Sequence, residues 1–173
     1  MNEGHKRKSH EHRKDLAGEY RWGDSLQLIF VVIFFIGMTL DLFIFKFSSS
    51  WQSIFPWYYR VIVFIFIFFI AGYFVQKSHK KIFGEEREEL VVVKTDIYSR
   101  LRHPMYFSAI LVYLCFVILS FSVITLLIFF VVVIFYYYLS YYEEKILIDK
   151  LGDEYLDYVK NVPMLIPSFR KKL

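Results

Sequence analysis

An all-α integral membrane protein, with four transmembrane helices and a carboxy-terminal amphipathic helix, is the fold class that three observations predict. Hydrophobic residues make up 57% of the 173 positions and aromatic residues 21%, too apolar for a soluble globular domain. The apolar residues gather into runs long enough to cross a bilayer. Lys and Arg crowd the segments between those runs, as they do in multi-span proteins. The length suits one domain. The net charge of +4 reads as membrane topology, with a lipid bilayer and no nucleic acid as partner. Cys115 sits inside an apolar run and is the chain's one cysteine, so it is read as a small packing residue and not as a catalytic thiol.

The elements follow in order. Residues 1–24 form a basic tail carrying His5, His10 and His12, too polar for a signal-peptide core. No cysteine or carboxylate cluster accompanies these histidines, so no metal is expected, and the tail is read as solvated and close to anionic lipid. Residues 25–173 are a single membrane domain, with spans expected over 26–45, 59–75, 105–120 and 123–142. About 20 residues rising 1.5 Å each cover a hydrocarbon core of roughly 30 Å. Asp41 falls near the far end of the first span, where it is expected to face water or a neighbouring helix. Trp51, Trp57, Tyr58 and Tyr59 form an aromatic belt before the second span.

The loop 76–104 is the longest interior polar segment and belongs on the side of the amino terminus. Within it, Leu90-Val91-Val92-Val93 is a short strand or an extended strip along a pocket. Ser120-Phe121-Ser122 is the turn of a tight helical hairpin, with Tyr136, Tyr137, Tyr138, Tyr141 and Tyr142 as interfacial anchors at its returning end. Residues 143–173 begin with an amphipathic surface helix that presents Ile146, Leu147, Leu151 and Tyr155 on one side and breaks near Gly152. Pro163 and Pro167 then force an extended tail ending in Arg170, Lys171 and Lys172. Charge counting places both termini and the central loop in the cytoplasm, whether the membrane is a prokaryotic plasma membrane or an endoplasmic reticulum.

The chain is organised around its polar corner at residues 94–106. Pro104 lacks an N–H and has a fixed φ, so it suits the first turn of the helix it opens. Tyr98, Arg102, His103 and Tyr106 then stand where the chain enters the membrane, a good place to hold an anionic, adenine-bearing ligand. The hairpin that follows brings its two ends together, so this corner is expected to meet Glu143. The result is a cytosolic cofactor pocket that also opens sideways into lipid, able to pair a water-soluble cofactor with a lipid-borne substrate.

The run Thr95-x-x-Tyr98-x-x-x-Arg102-His103-Pro104-x-Tyr106 is followed by Glu143-Glu144, Gly152-x-Glu154-Tyr155-x-x-Tyr158 and Val162-Pro163-x-x-Ile166-Pro167. In this order and spacing it resembles the isoprenylcysteine carboxyl methyltransferases and the wider group of membrane phospholipid-type methyltransferases. The resemblance covers about residues 90–167. It implies S-adenosylmethionine as methyl donor at the cytosolic face, held by Leu90, Val91, Val92, Val93, Tyr98, His103, Pro104, Met105, Tyr106 and Glu143. Arg102 or His103 pairs with the donor's carboxylate on this reading, and tyrosine rings hold its sulfonium by cation–π attraction. Glu144 is the candidate for taking a proton, its alternative role being to cap the surface helix. Two positions depart from the pattern. Asp96 stands where the family usually has a glycine, which implies a different turn before Tyr98. Leu139 stands where the carboxyl methyltransferases place an arginine that holds the substrate carboxylate.

The first functional expectation is a methyltransferase for the carboxylate of a prenylated cysteine or a similar lipid-tailed acid. The second, favoured by Leu139, is a methyltransferase for a phospholipid amine or another amphiphile. A membrane sterol-type reductase shares a similar carboxy-terminal pattern but is disfavoured by the Glu143-Glu144 pair. A non-catalytic membrane scaffold ranks last.

Overall fold

A computed structural model of the chain describes residues 22–84 and 90–167. Most of the basic tail, including His5, His10 and His12, lies outside the described residues, as do the acidic run at 85–89 and Arg170, Lys171 and Lys172.

The apolar runs become helices. Helix α1 (Gly23–Thr39) continues into a wider π-type winding over Leu40–Phe45, and a short α2 (Ser49–Ile54) fills the connection to α3 (Trp57–Phe83). A 3₁₀ turn (Asp96–Ser99) precedes α4 (Pro104–Ser120), α5 (Val123–Leu151) and α6 (Asp153–Asn161). No strand occurs among the described residues, and Leu90 to Val93 are irregular chain. Gly23–Phe45, Trp57–Ile82 and Val123–Leu151 are long and apolar enough to cross a membrane, which makes this a multi-pass membrane protein. Pro104–Ser120 is a shorter apolar helix of 17 residues.

Two expected boundaries are corrected. The second span does not hand over to a loop at residue 76, because α3 carries on to Phe83. Gln and Lys are good helix formers, and Lys80 and Lys81 suit the negative pole of the helix end. Likewise the segment from Glu143 to Leu151 is no separate surface helix; it is the last part of α5. Leaving an apolar environment does not end a helix, and nothing in Glu143-Glu144-Lys145-Ile146-Leu147 opposes one. The break comes at Gly152, whose φ of +58° is open to glycine and strained for most other residues.

Packing runs in the order α3, α4, α5, α1, with α3 along α4 and α5 between α4 and α1. The core between α1, α4 and α5 is built from Phe34, Tyr113, Val117, Val132, Tyr136 and Leu139. Phe34 and Tyr113 meet edge to face, their centroids 4.9 Å apart. Gly37 lets α1 close on α5, since a Cβ there would come within 2.4 Å of Ile128 Cδ1. Tyr136, expected as an interfacial anchor, is instead a core residue, while Tyr137, Tyr138, Tyr141 and Tyr142 are exposed. The exposed apolar surface, including Leu28, Phe66, Phe69 and Phe130, suits hydrocarbon.

At the end of the bundle away from the polar corner, Asp41 is 1% exposed and faces neither water nor an apolar wall. Its carboxylate accepts from the Ser48 hydroxyl at 2.5 Å, from the Ser48 N–H at 3.2 Å and from the Ser122 hydroxyl. Ser122 also caps α5 by accepting from Thr125 N–H at 3.2 Å. A buried carboxylate persists only where its lone pairs are satisfied, so this knot fixes the end of α1 against the α4–α5 turn at Phe121 and Ser122. Ser122→Ala removes a cap and one carboxylate donor together. It is expected to cost about 2 kcal/mol, read as a lower unfolding midpoint in detergent.

Candidate active site

The corner before α4 is assembled by the backbone first. Asp96 takes a left-handed φ of +57°, a region glycine enters freely and aspartate tolerates better than most residues. The turn before Tyr98 therefore keeps a glycine-type backbone with an aspartate in it, and the Asp96 carboxylate lies 3.9 Å from Lys77 Nζ. Asp96→Gly is expected to leave stability within about 1 kcal/mol, whereas Asp96→Val is expected to cost about 1–2 kcal/mol, both measured by thermal unfolding.

His103 is the N-cap residue of α4 and Pro104 its first helical position. The backbone N–H groups of Arg102 and His103 donate to the carbonyls of Pro163 and Met164 at 3.0 and 3.1 Å. The tail past α6 is thus stitched to the corner. A guanidinium N–H of Arg102 donates to Val159 O at 2.6 Å, satisfying a carbonyl in the last turn of α6. The Tyr158 hydroxyl donates to Tyr98 O at 2.6 Å. Burial, with smaller contributions from Tyr155 and Tyr98, pushes the Tyr158 phenol far above its ordinary pKa, so it remains a donor.

Side chains then bring the two ends of the hairpin together. Arg102 Nε lies 2.8 Å from Glu144 Oε1, a charge pair whose N–H is not aligned as a hydrogen bond. His103 Nε2 lies 3.1 Å from the same oxygen across 41 sequence positions, and His103 Nδ1 lies 3.7 Å from Glu143 Oε2. The Tyr106 hydroxyl donates to Glu143 Oε1 at 2.5 Å. The rings of His103 and Tyr106 are parallel within 6°, 5.6 Å apart. Both glutamates and His103 are buried. The imidazole stands between two carboxylates, one backed by a guanidinium and the other by a phenol.

This cluster forms one wall of a cavity of about 480 Å³, inside the range of small-molecule sites. Leu90, Val91, Val92, Val93, Tyr98, Arg102, His103, Pro104, Met105, Tyr106 and Glu143 all line it. Glu144 does not; it stands behind the wall, holding Arg102 and His103. Leu139 is packed in the core, away from the lining.

Sequence reasoning missed part of the lining. Gly23, Asp24 and Gln27 come from α1, Val75 and Ile82 from α3, and Ser108, Ala109 and Val112 from α4. The α4 residues carried a usable signal, lying one to two turns beyond Met105 on the same face. The α1 residues carried none, because their place depends on how α1 packs against α5. Leu147 and Leu151 of α5 with Tyr155 and Tyr158 of α6 complete the lining; their spacing was visible, but their apolar sides pack against one another and Val92 within the protein.

Such an arrangement can seat a compact ligand against aromatic rings and carboxylates in an apolar chamber. No curated protein and no solved structure matches the chain. The phospholipid methyltransferase family matches residues 61–154, over half of the 173 residues. That match runs from the start of α3 through the His103 corner and the glutamate pair to the start of α6, so the chain belongs to the phospholipid methyltransferase family of membrane methyltransferases.

Proposed function

We propose that the chain transfers a methyl group from S-adenosylmethionine to an amine on a lipid-tailed acceptor, inside the cavity at the His103 corner. The observation that carries this reading is the meeting of His103 and Tyr106 with Glu143 and Glu144 at one wall of a cavity, from segments 37 and 41 positions apart. The donor fits what lines the wall. The stacked His103–Tyr106 pair and Tyr98 offer aromatic faces to a sulfonium and an adenine. Glu143 accepts from hydroxyl or amino groups, and Leu90 to Val93 cover the donor's apolar edges. Bound there, S-adenosylmethionine would supply a methyl group activated for attack by its bond to a positive sulfur, which leaves as a neutral thioether.

The protein's own part is alignment and exclusion of water. Glu144 holds Arg102 and His103 in place from behind the wall and touches neither reactant, and it is a positioning residue on this reading. An amine acceptor must reach the cavity uncharged, which an apolar lining favours. With Tyr98, His103, Tyr106 and Glu143 holding the donor, an uncharged acceptor nitrogen would take the methyl group while the carbon–sulfur electron pair returned to sulfur. The topology proposed with this reading has Pro104–Ser120 as a fourth span, the cavity and both termini on the cytoplasmic face, and a basic tail before one domain that begins with α1 at Gly23.

A carboxylate acceptor is the second reading, favoured by the motif resemblance to the carboxyl methyltransferases. It is disfavoured by the commitment of Arg102 to Glu144 and Val159 and by the core position of Leu139. Labelled methyl transfer by the purified protein separates the two. Base-stable label on an amine lipid from a total lipid extract supports the first reading; base-labile label on a farnesyl-cysteine analogue supports the second.

A further inference from the structure

We infer that the first turns of α1 form the acceptor-headgroup subsite, with the Asp24 carboxylate and the Gln27 amide receiving an amine-bearing lipid headgroup. This rests on the methyltransferase reading above. Asp24 and Gln27 are three positions apart on one helix face and line the same cavity as Glu143 and Tyr106. They lie outside the 61–154 segment shared with the family, so they are features of this chain that the family match does not assign.

Three observations give them this role. The first is charge. The cavity's ionisable lining, tyrosines aside, is Asp24, Glu143, Arg102 and His103. The Arg102 guanidinium is already held by Glu144 and by Val159 O. A headgroup entering from the α1 side therefore meets a carboxylate, which accepts a hydrogen bond from an uncharged amine and repels an acid. The second is orientation. Gln27 Oε1 accepts from the Tyr136 hydroxyl at 3.4 Å, which turns the amide so that its NH₂ serves as donor to an oxygen of the headgroup. The third is access. α1 packs on α5 and α3 packs on α4, and both α1 and α3 contribute cavity lining. The lining residues include Asp24 and Gln27 on α1 and Val75 and Ile82 on α3. Asp24 sits in the first turn of α1, the polar end of a helix long and apolar enough to cross a membrane.

The test uses the full-length protein in nanodiscs containing phosphatidylethanolamine diluted into phosphatidylglycerol. Acceptor KM is measured by labelled methyl transfer and donor Kd by equilibrium binding of S-adenosylmethionine. Asp24→Asn is expected to raise the acceptor KM about tenfold or more, with donor Kd unchanged and Asp24→Glu recovering much of the loss. Gln27→Leu is expected to raise acceptor KM with the same unchanged donor affinity. An unaltered acceptor KM in both variants overturns the subsite. A donor Kd that weakens in step with acceptor KM also overturns it, by making Asp24 a donor ligand. Wild-type protein that binds the donor but methylates no amine lipid overturns the amine reading and this subsite with it.

Discussion

Replacing Glu143 with glutamine is expected to weaken S-adenosylmethionine binding about 10- to 100-fold and to reduce methyl transfer at least as far, with the helical fold retained. The substitution keeps an acceptor for the Tyr106 hydroxyl, which now donates to Glu143 at 2.5 Å, so little folding energy is at stake. It removes the negative charge that faces the cavity beside His103. A hydrogen bond to a charged group is worth about 1.5–3 kcal/mol, which converts to that range of affinity. Isothermal titration of the donor into wild type and Glu143→Gln reads the effect directly, and circular dichroism checks the fold. Equal affinities would remove Glu143 from the donor site.

The second large effect concerns stability. Arg102 and Glu144 form a pair in which both side chains are 8% exposed. Removing one partner strands the other charge, so Glu144→Ala is expected to destabilise the protein by about 3–5 kcal/mol. Arg102→Ala should cost a similar amount, because it also strips Val159 O of its donor. Removing both charges is a different case. A double Arg102→Met, Glu144→Leu variant is expected to recover most of the stability lost in either single variant, while methyl transfer stays low because His103 has lost the carboxylate that orients it. A denaturant series on wild type, Arg102→Met, Glu144→Leu and the double variant in one detergent closes the cycle. Additive losses in the double variant would mean that the pair is not coupled.

These expectations rest on features legible in the sequence to different degrees. The apolar runs located the helices, and the Ser120-Phe121-Ser122 turn falls between α4 and α5 as expected. Pro104 at the first position of α4 was readable from its missing N–H. The meeting of His103 with the glutamate pair followed from hairpin geometry, since a helix of 17 residues and its return must bring their ends together. Helix ends at the membrane boundary were not legible. Hydropathy marks where residues turn polar, and Gln76 and Glu143 turn polar in the middle of helices that continue to Phe83 and Leu151. The tertiary partners of isolated polar residues were also hidden. Asp41 finds Ser122 across 81 positions, and Asp24 reaches the cavity only through the packing of α1 on α5. Leu139 was legible as a departure, but its place in the core emerges only once α1 is packed against it.

The central claim is that the cavity at the His103 corner is where the methyl donor sits. Ultraviolet cross-linking of methyl-labelled S-adenosylmethionine to the protein in nanodiscs, followed by peptide mapping, tests it most directly. Label confined to peptides spanning residues 90–112 and 143–158, and displaced by excess unlabelled donor, is the predicted result. Displaceable label concentrated on the far end of the bundle, around Asp41, Ser48 and Ser122, would contradict it.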